Sequence, residues 1–145
     1  MKKLFTKICV ASDHAGYGLK EKIKDYLITK SISVIDLGPY CNDSVDYPDY
    51  AKKVAKRVIL RKSDAGILVC GSGTGMAITA NRFKGIRAAQ CYNKTSTIFS
   101  RKHNNANIIC LGSRILKYKE AFKYVTYFLN TKFESGRHKR RINKI

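Results

Sequence analysis

Acidic residues are scarce in this chain of 145 residues: 10 Asp and Glu stand against 29 Lys and Arg, a formal net charge of +19. Such an excess suits a polyanion, because clustered Lys and Arg neutralise phosphates and release counterions. The features that turn charge into nucleic-acid recognition are missing, with no recognition-helix pattern, RNP motif or zinc finger in the sequence. Residues 134–145 hold 5 Lys and Arg against 1 Glu. Much of the remaining excess is lysine dispersed on expected helix faces, such as Lys20, Lys22, Lys24, Lys52, Lys53 and Lys56, where solvation is the default. A basic nucleic-acid-binding α/β module therefore stands as an alternative reading, and no nucleic-acid partner is expected. A small anionic substrate would need only a few of these charges for steering.

Other absences narrow the class further. No apolar run exceeds strand length, and Met1 to Lys7 lacks the apolar segment and small-residue cleavage site of a signal peptide, so a soluble, cytoplasmic protein with no membrane partner is expected. Low-complexity tracts and internal repeats are absent, and the length fits one domain over 1–145, with a real core but little room for two substrate-binding lobes. A complete site would then draw on a second subunit. The 5 cysteines are odd in number and show no CxxC spacing, which reads as reduced thiols and gives no zinc site. Cys9, Cys91 and Cys110 fall in or at expected strands and read as small core residues.

What is present is sharpest between Ala65 and Gly75. A buried apolar run ends at Cys70 and breaks into Gly71-Ser72-Gly73-Thr74-Gly75, after which Met76 to Asn81 suits a helix that begins within the glycine run. In a parallel sheet such a turn lies at the carboxyl ends of the strands, where ligands bind. The first N–H groups of a helix lack internal partners, so they favour an anion or a developing oxyanion, and the same field favours the thiolate of Cys70. Nucleotide loops do not fit: the third glycine of GxGxxG is absent, and no Gly-Lys-Ser/Thr closes a Walker loop.

Along the rest of the chain, strands are expected at 7–11, 32–37, 85–91 and 106–111, alternating with helical patterns. Leu19, Ile23, Tyr26 and Leu27 mark one helix; Tyr50, Ala51, Val54, Ala55 and Val58 mark another, with Pro48 in its first turn. A short helix follows over 95–102, and Tyr118, Ala121, Phe122, Val125 and Phe128 supply a last long one. Residues 137–145 form a basic helix or tail. The alternation implies an α/β fold with a five-stranded parallel sheet covered on both faces.

Several side chains could carry chemistry. Asp13 and His14 follow the first strand and would lie beside Cys70 if strands one and three are neighbours; capping of the next helix by Asp13 is the competing reading. His103, before the last strand, would fall at the opposite end of the sheet unless the preceding helix carries it to a dimer interface. Arg137 and Arg141, four apart, would share a helix face and could grip one phosphate, the alternative being a solvated tail.

Taken in order, Ser12-Asp13-His14-Ala15-Gly16, Asp46-Tyr47-Pro48, Cys70-Gly71-Ser72-Gly73-Thr74-Gly75, Arg101-Lys102-His103-Asn104-Asn105-Ala106-Asn107, Leu111-Gly112-Ser113-Arg114 and Gly136-Arg137-His138 resemble the B-type ribose-5-phosphate isomerase family over nearly the whole chain. The related galactose-6-phosphate isomerase subunits share this framework. The resemblance implies a Rossmann-like three-layer sandwich and a homodimer with clefts built from both subunits, pairing into a tetramer being left open. It further implies interconversion of ribose 5-phosphate and ribulose 5-phosphate through a cis-enediolate, without metal or organic cofactor, with a six-carbon sugar phosphate as the alternative substrate.

By the same resemblance, Cys70 is the base between C1 and C2, and His103 of the other subunit helps open the furanose ring. Ser72 assists proton movement between the oxygens, and the backbone of Gly71, Gly73, Thr74 and Gly75 stabilises the enediolate. Asp13, Tyr47 and Asn104 position the sugar, while His14, Arg114, Arg137 and Arg141 hold the phosphate. A branch of the family without this cysteine places a glutamate where Met76 stands here. Met76 cannot accept a proton, which leaves that task to Cys70.

Overall fold

A computed structural model describes residues 3–145; Met1 and Lys2, on which the reading of the amino terminus partly rests, lie outside the described residues. Five strands alternate with helices: β1 (Lys7–Ser12), α1 (Tyr17–Thr29), β2 (Ser33–Asp36), α2 (Tyr47–Ile59), β3 (Ala65–Cys70), α3 (Thr74–Ala80), β4 (Ala88–Gln90), α4 (Lys94–Lys102), β5 (Ile108–Gly112), α5 (Tyr118–Asn130) and α6 (Arg137–Ile142). The strands form one sheet in the order β2-β1-β3-β5-β4, every pair parallel. β1 and β3 are neighbours, as the placement of Asp13 beside Cys70 required, and Ser12 pairs with Val69.

The two faces bury different side chains because successive residues of a strand point to opposite sides. Ile8, Val10, Ile67 and Val69 pack with Leu19, Ile23 and Leu27 of α1 and with Ala121, Val125 and Phe128 of α5. Cys9, Ala11, Leu68 and Cys70 face Ala51, Val54, Ala55 and Val58 of α2 and Met76 and Ala80 of α3. The Rossmann-like three-layer α/β sandwich is thus the observed architecture. Among the described residues no helix is long and apolar enough to cross a membrane.

Two expectations change. The fourth strand is confined to Ala88–Gln90; the N–H of Arg87, just before it, donates to the Asn107 side-chain Oδ1. Asn81 accepts from the N–H of Ala88 and donates to its carbonyl at the start of this edge strand. The C-terminal basic segment is a helix over Arg137–Ile142, one of the two forms expected. Lys20 is not on a solvated face: it is fully buried.

The Lys20 ammonium lies on the axis between α1 and the exit of β2. It donates to both Asp36 carboxylate oxygens at 2.8 and 3.0 Å and to the Pro39 carbonyl at 2.6 Å. Lys24 adds a contact of 3.0 Å, and the N–H of Gly38 donates to Asp36 at 2.9 Å. A buried ammonium is tolerated only with such compensation. Burial by itself would push the Asp36 carboxyl up, but the hydrogen bonds from Lys20, Gly38 and Lys24 outweigh it and hold the group below its ordinary value of 3.8. The network pins the start of the 38–46 loop, which leads to Tyr47 at the head of α2.

Because the folded value is depressed, this pair stabilises the fold above the ordinary carboxylate range and loses its effect as pH falls through the folded value. Asp36→Asn is expected to destabilise the protein by about 3 kcal/mol near neutrality, the scale for breaking a buried ion pair. In urea unfolding across pH, the gap to wild type should close on acidification below the carboxylate range; a gap that persists there would contradict the ion-pair account.

Candidate active site

The carboxyl ends of β1 and β3 open into a cleft of about 490 Å³ lined by Asp13, Tyr47, Cys70, Gly71, Ser72, Thr74, Gly75, Ile78, Arg114 and Ile115. Backbone bonds set these residues in place. The N–H of Asp13 donates to the Val69 carbonyl at 3.1 Å, tying the exit of β1 to the last turn of β3. Ser113 and Arg114 donate their N–H groups to the carbonyls of Cys70 and Gly71 at 2.8 and 3.0 Å, so the chain leaving β5 folds over the glycine loop. Arg114 lies directly above Gly71, where a Cβ would come within 3.1 Å of its guanidinium.

Cys70 is 4% exposed, and its Sγ accepts the N–H of Gly73 at 3.0 Å. That N–H can point inward because Gly73 has φ +83, a left-handed conformation that costs other residues roughly 1–2 kcal/mol. Gly75 is required by space: a Cβ there would stand 2.7 Å from the Tyr47 ring, which packs across the loop. The glycine run is therefore a seat for a sulfur and a ring.

Not all the expected donors face the cleft. The N–H of Gly73 is committed to Cys70, and that of Thr74 donates to the Ser72 hydroxyl at 3.2 Å. Those two groups close the turn, a local competition common for serine. Asp13 lines the cleft, and its Oδ1 accepts the Gly16 N–H at 2.9 Å in the turn before α1, whose N-cap is Gly16 without a side-chain cap. His14 is exposed and outside that lining, with Nδ1 at 3.1 to 3.2 Å from the carbonyl and N–H of Val45. Gln90 was missed by sequence reasoning; its Nε2 donates to the Ser72 carbonyl and the Thr74 hydroxyl, both at 2.9 Å, buttressing the loop from β4. Met76, fully buried in the core, is withdrawn from the cleft.

His103 and Asn104 lie elsewhere. They line a second cleft, of about 290 Å³, with His138, Arg141, Ile142 and Ile145. Within one chain His103 and Cys70 line different clefts. Arg137 opens α6 and is exposed, lining neither cleft. His138, read from sequence as part of a basic tail, is 8% exposed and stacks on His103 with ring centroids 4.4 Å apart. His103, Glu134 and His138 also bring potential metal donors within 4.8 Å of one another. The two imidazole planes are only 15° apart, so their lone pairs run side by side and do not converge on a tetrahedral centre.

Three of the four remaining thiols behave as core residues. Cys9, Cys91 and Cys110 are 0 to 2% exposed. Burial raises Cys9 to about 11, raises Cys91, and pushes Cys110 well above the ordinary thiol value. Cys41 alone among the free cysteines is exposed. Iodoacetamide at pH 7.5 is expected to label Cys41 first and the cleft thiol Cys70 next, with Cys9 and Cys110 silent in the folded protein. Peptide mass spectrometry over a time course reads this order; labelling of Cys110 as fast as Cys41 would contradict it.

Comparison with known proteins agrees with this arrangement. Residues 8–145 match the model of the family described as Ribose/Galactose Isomerase. The chain is 40% identical over 139 residues to the ribose-5-phosphate isomerase B of Escherichia coli, covering 96% of this chain and 93% of that one. The crystal structure of a ribose 5-phosphate isomerase from Thermotoga maritima superposes with a TM-score of 0.95 at 52% identity, over 96% of each chain. That of Mycoplasma genitalium ribose-5-phosphate isomerase B with bound ribulose-5-phosphate gives 0.91 at 45% identity, over 95% of this chain and 92% of that one. With its thiol seated on a glycine loop at the carboxyl edge of a parallel sheet, the chain belongs to the ribose/galactose isomerase family.

Proposed function

We propose that the 145 residues act as one sugar-phosphate isomerase domain that interconverts ribose 5-phosphate and ribulose 5-phosphate, with Cys70 as the base. The observation that carries this reading is the Cys70 sulfur at the cleft floor with the Gly73 N–H 3.0 Å away. Aldose–ketose interconversion needs a proton taken from C2 of the open-chain aldehyde and returned to C1, a transfer for a base positioned at the reacting carbons. The intermediate is a cis-enediolate. Ser72, at the lip of the loop, relays the proton between the two oxygens, and the backbone of Gly71 and Gly75 faces the developing charge. Losing one such donor typically costs about 10²–10³ in rate.

Positioning falls to Asp13 and Tyr47, which line the cleft on either side of the thiol. Arg114 supplies a cation above Gly71. The ring-opening step needs an acid for the furanose oxygen, and His103 serves if a second copy of the chain brings its other cleft against the first. That homodimer also delivers Asn104 to the sugar and Arg137 and Arg141 to the phosphate, with His14 and Arg114 reaching the phosphate from the Cys70 side. Anchoring the phosphate spends remote binding energy on orientation at the reacting carbons. A phosphorylated sugar substrate places the enzyme in the cytoplasm.

Purified, chelator-treated protein is expected to convert ribose 5-phosphate to ribulose 5-phosphate. Cys70→Ala should lower kcat by about 10²–10⁴, the range for a positioned base, while phosphate-ester binding persists by calorimetry. Allose 6-phosphate in the same assay separates a five-carbon from a six-carbon specificity. Full turnover by Cys70→Ala would overturn the assigned base, and no turnover of either sugar would overturn the reaction.

A further inference from the structure

From the stack of three rings at the carboxyl end of α4, we infer that His138 is a positioning residue that fixes the imidazole of His103 for ring opening. The inference rests on the isomerase reading above. His103 caps α4 and is held on both faces: Phe99 lies 4.5 Å from it on one side and His138 4.4 Å on the other, at interplanar angles of 27° and 15°. A flat ring clamped between two flat rings keeps its edge nitrogens aimed in one plane. Without the second wall, the side chain regains rotation about both of its χ angles.

The clamp is built from a distance of 35 residues, and the chain joins its halves firmly. The N–H of Glu134 donates to the Lys102 carbonyl at 3.1 Å, the Glu134 carboxylate meets the Lys102 ammonium at 3.2 Å, and Arg101 Nε donates to the Thr131 carbonyl at 3.3 Å. The segment before α6 is thereby sewn to the end of α4, and α6 sets His138 down on His103. Arg141, one turn further on, lines the same cleft. His138 has no hydrogen-bonding task that would explain its burial, since its Nε2 stands 3.8 Å from the nearest Glu134 oxygen. Its surroundings keep the ring uncharged at neutral pH: burial, then His103, Arg137 and Arg141, push it below its ordinary value of 6.5, with Glu134 opposing. Two stacked imidazoles then carry no like-charge repulsion.

A positioning role separates two half-reactions. Ribose 5-phosphate exists as a furanose that must be opened, whereas ribulose 5-phosphate, with its C5 oxygen esterified, cannot close that ring. In D₂O, Cys70 can remove a C1 proton from ribulose 5-phosphate, exchange it with solvent and return deuterium without any help from His103. The test measures both for the wild type, His138→Ala and His138→Phe: kcat on ribose 5-phosphate, and loss of the C1 proton signal of ribulose 5-phosphate by NMR. His138→Ala is expected to lose about 10²-fold in kcat, the scale for misplacing a catalytic group by about 1 Å, while exchange stays at the wild-type rate. His138→Phe keeps the flat wall and should recover most of kcat. Undiminished kcat in His138→Ala, equal loss of conversion and exchange, or failure of His138→Phe to recover would each overturn the proposal. Neither reaction in the wild-type protein would overturn the isomerase reading itself, and this inference with it.

Discussion

The hydrogen bond from the Gly73 N–H to the Cys70 sulfur, 3.0 Å long, sets the terms for the cleft. A sulfur at the end of a central strand would ordinarily be one more core atom, as Cys110 is in the neighbouring strand. It becomes chemically useful only where the backbone turns back on it, and that turn needs the left-handed Gly73. The rest follows from fitting this loop between its neighbours. β1 on one side brings Asp13, the exit of β5 on the other brings Arg114, and the ring of Tyr47 closes over Gly75. The parallel sheet supplies the geometry by bringing several strand exits to one edge, where their loops share a space that no single loop could enclose.

The chemistry is divided between two surfaces of the chain. One holds the thiol and its loop; the other holds a stacked pair of imidazoles with Arg141 beside them. Neither surface is a full set of tools for opening a ring, moving a proton and gripping a phosphate. The strongly basic balance of the chain makes sense in this light as a field that draws an anion toward clefts where Arg114 and Arg141 wait. The second surface is held by one main-chain hydrogen bond, one bond from the Arg101 side chain and one ion pair between the 131–134 segment and the end of α4, so the setting of His103 depends on residues far along the sequence.

Much of the fold was legible because its signals are local. Apolar periodicity marked the helices, strand-length runs marked β1, β3 and β5, and the glycine loop announced the turn after β3. The errors came where distant side chains intervened. β4 is shorter than its apolar run suggests, and nothing in residues 85–91 says that the Asn107 side chain will take the N–H of Arg87. Lys20 was placed in solvent because its partners, Asp36 and the Pro39 carbonyl, come from another element. At the site, Asp13, Tyr47, Cys70 and Arg114 converge as the family pattern implied. His138 stands in the sequence within a basic tail and the Gly136-Arg137-His138 segment, but its packing on His103 is not legible there, since that depends on Glu134 meeting Lys102. Gln90 carried no signal at all, being an ordinary polar residue on a short edge strand.

The central claim is that one working site combines Cys70 of one chain with His103 of another. Co-refolding Cys70→Ala with His103→Ala tests it most directly, each variant being inactive alone. In a random mixture of dimers half are hybrids, and each hybrid holds one site with both groups intact. The account predicts recovery of about one quarter of wild-type activity, from the two-fold symmetry of such an assembly. A mixture that forms hybrid dimers, verified by mass, yet shows no activity above either variant would contradict it.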